Sequence, residues 1–257
     1  MTDEQMIIEQ GWDSITTLVD GRWIERRPRR PEIAANLVME TRVLPWLAPG
    51  LPLAVPVPVV AQEEPLVVRH PLVVGQHITR LDAANGTALG TFLRALHAAD
   101  VEQAVVLGLR PGPAARAETA ATTARFRERV VPLLPAYRRA AGLTLLEQVG
   151  RQPADTVVHG DLGPEHVLCA DGVLSGVIDF TDAHVGDAAL DLAWPLHGTP
   201  AAFADAVATA YGGPPDLRGR ALLWHRLGPW YEVEHGLETG DDEDVRSGLA
   251  GVLDRLS

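Results

Sequence analysis

The sequence predicts an α+β chain of two lobes, a small β-rich lobe over residues 1–70 and a larger, mainly helical lobe over residues 71–257. Three observations predict it. β-prone runs at Ile15–Val19 and Trp23–Arg27 flank Asp20-Gly21, a dipeptide that favours a tight hairpin. From Thr87 onward, apolar residues recur at helical spacing through most of the chain. Between these helical stretches, Val157-Val158, Val167-Leu168 and Val173–Ile178 read as short buried strands separated by polar loops.

Each element follows from its own residues. The small lobe opens with Glu9-Gln-Gly-Trp-Asp-Ser14, a Gly-containing turn, and continues into the hairpin. Pro31–Leu47 is expected as a helix, with Ile33, Leu37, Glu40, Val43, Leu44 and Leu47 at helical spacing. Pro31 suits its first turn and Pro45 kinks its last. Pro52–Pro58 is an extended, proline-rich connection, and Pro65–Gly75 a strand running into a hinge. In the large lobe, Leu89, Phe92, Leu93 and Leu96 mark an amphipathic helix over Thr87–His97. Ala114–Gln152 is largely helical, broken near Pro132 and Pro135. Helices are expected again over 190–195, 201–211, 217–239 and 243–256.

Composition narrows the function. Of the 257 residues, 46% are hydrophobic, and no apolar run approaches the roughly 18–20 residues that span a bilayer. The amino terminus has neither a basic flank nor an apolar signal core. Cys169 stands alone, which excludes an internal disulfide framework, and a cytoplasmic location is the simplest expectation. A net charge of −12 argues against nucleic-acid binding. From Asp182 to Ser257 the chain carries 13 Asp and Glu against 5 Arg, a net of −8, which suits a cationic small-molecule partner. Within it, Asp241-Asp-Glu-Asp244 reads as a solvated helix face. All 22 basic residues are arginine.

The chemistry concentrates in Val157–Leu168 and Val177–Asp187. There His159, Asp161, His166, Asp179 and Asp182 fall within 24 residues. A strand, a polar loop and a hairpin around Asp171-Gly172 would bring both groups of acids to one sheet edge. Phosphoryl transfer needs that layout: a carboxylate to receive the proton of an attacking hydroxyl, and ligands for a magnesium-bound triphosphate. The kinase pattern sets the base two residues after a His, a metal ligand five further on, and a second Asp after the next hairpin. His159, Asp161, His166 and Asp179 stand at those places.

His159-Gly-Asp-x4-His166 and Ile178-Asp-Phe-x-Asp-Ala-x-x-Gly-Asp-x3-Asp191 resemble the aminoglycoside phosphotransferase family. These antibiotic kinases have a protein-kinase-like fold and include the macrolide phosphotransferases. The resemblance covers nearly the whole chain. It implies a bilobal kinase-like fold, with Asp161 as the base and Asp179 and His166 toward Mg2+ on ATP or GTP. Most of the family carries Asn at the His166 position. Imidazole suits softer metals than magnesium, so His166 is either a weak ligand or a contact to phosphate or metal-bound water. The turn at residues 9–14 resembles the family's nucleotide loop, with Glu9 in place of its first Gly. The strand lysine is replaced by arginine: Arg26 has the best register, with Arg27 and Arg29 as rivals, and Glu40 is its helix partner. Pro71 and Val73 are expected to offer a carbonyl and an N–H to a purine. Asp182, Glu234 and Glu238 are expected to bind substrate, the last two sharing a helix face; Trp230 and Tyr231 are expected in the core. Asp187 and Asp191 are read as supports of the loop backbone, and His97 is given no role. The resemblance implies transfer to a hydroxyl of an aminoglycoside-like antibiotic by a monomer or weak dimer. A macrolide kinase, a small-alcohol kinase and a pseudokinase-like nucleotide-binding module are the alternatives.

Overall fold

The computed structural model describes residues 5–10 and 14–256. The expected turn at Gly11, Trp12 and Asp13 lies outside the described residues. Strands β1 (Gln5–Gln10), β2 (Ser14–Val19), β3 (Trp23–Pro28), β4 (Val59–Gln62) and β5 (Val67–Pro71) form an antiparallel sheet in the order β1-β2-β3-β5-β4. Val19 pairs with Trp23 across the hairpin, and Asp20 and Gly21 both take positive φ, 54° and 61°, as the tight turn requires. Helix α1 (Pro31–Leu47) covers the sheet, its Ile33 and Leu37 packing on Val68. It runs through Pro45 to Leu47 before tightening into a 3-10 turn over Ala48–Gly50.

The larger part is built on helices. Helix α2 (Ala83–His97) begins four residues earlier than the apolar pattern, because the Asp82 side chain caps it by accepting the Asn85 N–H. Its expected face, Leu89, Phe92, Leu93 and Leu96, is fully buried. Helices α3 (Val101–Val106), α4 (Gly112–Arg129) and α5 (Ala136–Val149) follow, the last two separated by the expected break at Pro132 and Pro135. Then come α6 (Ala188–Asp191), α7 (Ala193–His197), α8 (Ala201–Tyr211), α9 (Leu217–Thr239) and α10 (Asp242–Arg255). Asp241 caps α10, and Asp242, Glu243 and Asp244 occupy its first turn, where carboxylates complement the helix dipole. That accounts for the acidic run. Among the described residues no helix is long and apolar enough to cross a membrane.

Between the helices lie β6 (Gln76–His77), β7 (Thr156–Val158), β8 (Val167–Ala170), β9 (Val173–Val177) and β10 (His184–Gly186). The β8–β9 hairpin turns at Asp171 and Gly172, both at positive φ, and β6 extends that sheet. β7 pairs with β10, a three-residue strand too short to announce itself in sequence. The loops after β7 and β9 thereby meet.

Candidate active site

The loop carrying Asp161 is fixed from beneath by one carboxylate. Asp191, fully buried in α6, accepts the N–H of His159 at 2.7 Å and of Gly160 at 2.9 Å, and lies 3.0 Å from His97 Nε2. His97 Nδ1 in turn lies 2.9 Å from the Tyr211 hydroxyl at the end of α8. Burial alone would raise the Asp191 carboxyl; the His97 bond and charge and the Gly160 N–H hold it below the usual carboxylate range. Gly160 sits at φ 90°, and a Cβ there would come within 2.3 Å of the Asp182 carbonyl, so only glycine lets the two loops touch.

His159 ties those loops together. Its Nε2 lies 2.9 Å from the Ile178 carbonyl and must donate to it, leaving Nδ1 to accept the Asp161 N–H at 3.3 Å. Its ring packs on Phe180. Asp161 itself points outward, its side chain 62% exposed. His166 Nδ1 lies 2.6 Å from the Asp161 carbonyl oxygen. A carbonyl only accepts, so Nδ1 carries a proton, and in the neutral tautomer Nε2 is the acceptor end.

Asp179 holds a positive φ of 62° and is the hub of a second network. Its Oδ1 accepts from Arg26 Nη1 at 3.0 Å and from the Thr181 hydroxyl at 2.7 Å. The same Arg26 nitrogen donates to Thr181 Oγ1 at 2.8 Å, its Nε reaches Ser14 Oγ at 3.2 Å, and Glu40 Oε1 stands 3.8 Å away. Asp179, not Glu40, is therefore the nearer carboxylate to Arg26. Its rival Arg27 is placed differently, pairing with Glu25 at 2.8 Å. Glu40, buried, lies 2.9 Å from the same Thr181 hydroxyl and 2.9 Å from His70 Nε2. Burial would raise the Asp179 carboxyl, but the Arg26 charge and the Thr181 and Arg26 bonds hold it well below its usual range.

Two clefts flank these loops. One, of about 610 Å³, is lined by Arg26, Glu40, Pro71, Val73, Ile178 and Asp179 among others. The other, of about 560 Å³, is lined by Asp161, Asp182, Glu118, Trp194, Trp224 and Tyr231, with Arg110, His184, His225 and Arg255. The ten sequence candidates thus divide as follows: Arg26, Glu40, Pro71, Val73 and Asp179 at the first cleft, Asp161 and Asp182 at the second, and His166, Glu234 and Glu238 in the lining of neither.

Those two glutamates are a correction. They share a face of α9, as expected, but that face turns to α4. Glu234, only 6% exposed, pairs with Arg125 at 2.9 Å, and Glu238 pairs with Arg129 at 3.3 Å. A buried carboxylate needs such a partner, and α4 supplies one four residues after another. Trp230 is fully buried as expected, but Tyr231 is half-exposed and lines the second cleft. His97 has a structural role after all, while Glu118 lies on a helix with no signal beyond its charge. Asp187 acts as a support: it caps α6 through the Ala189 N–H at 3.1 Å and accepts from Trp224 Nε1 at 2.9 Å.

Residues 4–224 match the family model described as phosphotransferase enzyme family. The chain belongs to this family. It is 32% identical over 189 residues to viomycin phosphotransferase of Streptomyces vinaceus, a stretch covering 63% of this chain and 58% of that protein. The match therefore spans less than two thirds of the relative's length. The GDP and kanamycin complex of APH(2'')-IIIa superposes with a TM-score of 0.84 at 22% identity, covering 98% of this chain and 92% of that one. Macrolide 2'-phosphotransferase MphH from Brachybacterium faecium superposes with a TM-score of 0.75 at 26% identity, covering 98% and 91%. The fold is thus the bilobal, kinase-like fold of antibiotic phosphotransferases.

Proposed function

We propose that this chain is an antibiotic kinase, transferring the γ-phosphoryl group of ATP or GTP to a hydroxyl of a cationic, aminoglycoside-like antibiotic. The carrying observation is the placement of the two clefts: Arg26 and Asp179 line one, Asp161 and Asp182 the other. In this reading the acceptor oxygen attacks the γ-phosphorus as the bond to the β–γ bridging oxygen breaks, releasing nucleoside diphosphate. Asp161, exposed toward the acceptor cleft, receives the hydroxyl proton. Arg26 braces the phosphates, and Asp182 meets an amine or hydroxyl of the acceptor. The Leu72 N–H bonds the Arg22 carbonyl at 2.9 Å, so alternation at the end of β5 turns the Pro71 carbonyl the other way, toward the cleft that Pro71 and Val73 line.

The residues fit magnesium. That ion takes one or two carboxylates plus substrate phosphates rather than a protein cage. The three hydrogen bonds that Asp179 accepts among the described residues all fall on Oδ1, leaving Oδ2 for the ion. His166 Nε2 is placed as an acceptor, for the metal or for a water on it. When bound, the ion neutralises charge on the triphosphate.

A second reading is favoured by the aromatic residues Trp194, Trp224 and Tyr231 and by Arg110 and Arg255 in the acceptor cleft. These suit an acceptor with a large apolar body and few amines, such as a macrolide. A radiolabelled γ-phosphate transfer screen with both nucleotides separates the options, across aminoglycosides, viomycin, macrolides and small alcohols. Transfer to a polyamine acceptor supports the first reading; transfer to macrolides alone selects the second. Nucleotide binding without transfer to any acceptor would sink both and leave a pseudokinase-like module.

A further inference from the structure

Helix α9 carries Pro229 in its interior. Proline has no N–H, so the His225 carbonyl, four residues earlier, loses its helical donor. Arg255, the last residue of α10, supplies a replacement: its Nη1 donates to the His225 carbonyl at 2.6 Å. The guanidinium passes α9 beside Gly228, where a Cβ would meet Nη1 at 3.1 Å, and the Pro229 ring packs on Gly251 of α10. His225, Gly228, Tyr231 and Arg255 all line the acceptor cleft. The missing hydrogen bond of the otherwise continuous α9 therefore lies in that cleft's wall.

We propose that Arg255 is a positioning residue for the acceptor: by bonding the orphaned His225 carbonyl it holds α9 at Pro229 and sets the wall formed by His225, Gly228 and Tyr231. This rests on reading that cleft as the acceptor site. A purely electrostatic role predicts the opposite effect, because a guanidinium repels a cationic acceptor and its removal would tighten binding. His225 adds no second charge at neutral pH, since burial, and then the Arg255 charge, push it down to about 4.

The test compares Arg255→Met in the wild-type and Pro229→Ala backgrounds, with viomycin and kanamycin as acceptor probes. In the wild type, Arg255→Met raises the acceptor KM or Kd about tenfold and leaves the nucleotide KM unchanged. It also speeds amide hydrogen exchange over residues 225–231 about tenfold or more, a readout needing no acceptor. In Pro229→Ala the alanine N–H serves the His225 carbonyl, so the same change moves each quantity by less than about twofold. Arg255→Lys, keeping a cationic donor, recovers part of the wild-type value. Equal effects in both backgrounds, a fall in acceptor Kd, or unchanged exchange in Arg255→Met would each overturn the proposal. Asp182→Asn serves as the control on the cleft. If it weakens probe binding while Arg255→Met does not, the Arg255 role fails alone. If neither does, the acceptor reading fails with it.

Discussion

Asp191→Asn is the perturbation that bears hardest on the loop carrying Asp161. The native carboxylate accepts from His159 N–H and His97 on Oδ2 and from Gly160 N–H on Oδ1. An asparagine of the same shape keeps one oxygen. In its better orientation that oxygen serves His159 and His97, and the amide NH2 faces the Gly160 N–H. One charge-assisted bond, worth about 1.5–3 kcal/mol, is lost, and a buried donor, at about 1–3 kcal/mol, is left unpaired. Because these overlap, a loss of about 2–4 kcal/mol is expected. For a chain of this length that lowers Tm by roughly 5–15 °C. Shifting Gly160 moves Asp161, and a misplacement near 1 Å costs on the order of 100-fold, so kcat falls while the nucleotide KM changes less than about threefold. Thermal unfolding and steady-state kinetics read both. The pH dependence carries a sign. The Asp191 carboxyl is held below its ordinary value, so its stabilisation is fully present above the unfolded value near 4 and is lost as pH falls through the folded one. Wild type and variant therefore converge below about pH 4. A Tm within about 2 °C of wild type together with kcat within about twofold would refute the clamp.

Asp161→Ala is expected to lower kcat by about 100- to 10,000-fold with nucleotide affinity retained; turnover within about tenfold of wild type, measured on the acceptor found by transfer, removes Asp161 as base. Asp179→Asn is expected to shift the magnesium titration of activity upward, and a superimposable curve counts against that ligand. Glu234→Gln leaves Arg125 half-paired and is expected to cost about 1–3 kcal/mol in urea unfolding without altering the acceptor KM. A selective rise in acceptor KM would restore Glu234 to the cleft. Arg26→Lys is expected to weaken nucleotide binding about tenfold despite the conserved charge, read by titration calorimetry.

What was legible in the sequence was local. Asp20-Gly21 and Asp171-Gly172 force positive φ within a few residues, and the Leu89–Leu96 spacing writes a buried stripe directly. What was not legible depends on long-range pairing. The four-residue spacing puts Glu234 and Glu238 on one face, but which way that face turns is decided by Arg125 and Arg129, 109 positions away. The His97–Asp191 contact spans 94 positions, and a histidine at a helix end gives no sign of it. Tyr231 follows Trp230 on α9 and so points elsewhere on the same helix. Helix α9 has aromatic and charged residues on several sides, so the pattern did not say which neighbour would be buried.

The absence of lysine sharpens the reading of the nucleotide cleft. One ammonium on a flexible stem cannot hold Ser14 through one nitrogen and Asp179 and Thr181 through another, as the Arg26 fork does. Arginine here joins strand β3 to the loop after β9 in one network. Within it, Thr181 lies within hydrogen-bond distance of both Glu40 Oε1 and Asp179 Oδ1, yet its hydroxyl has a single proton. It can donate to one carboxylate at a time. The other then depends more heavily on Arg26. If Asp179 holds the cation as proposed, that acceptor's demand for the proton would fall and donation to Glu40 on helix α1 would be favoured.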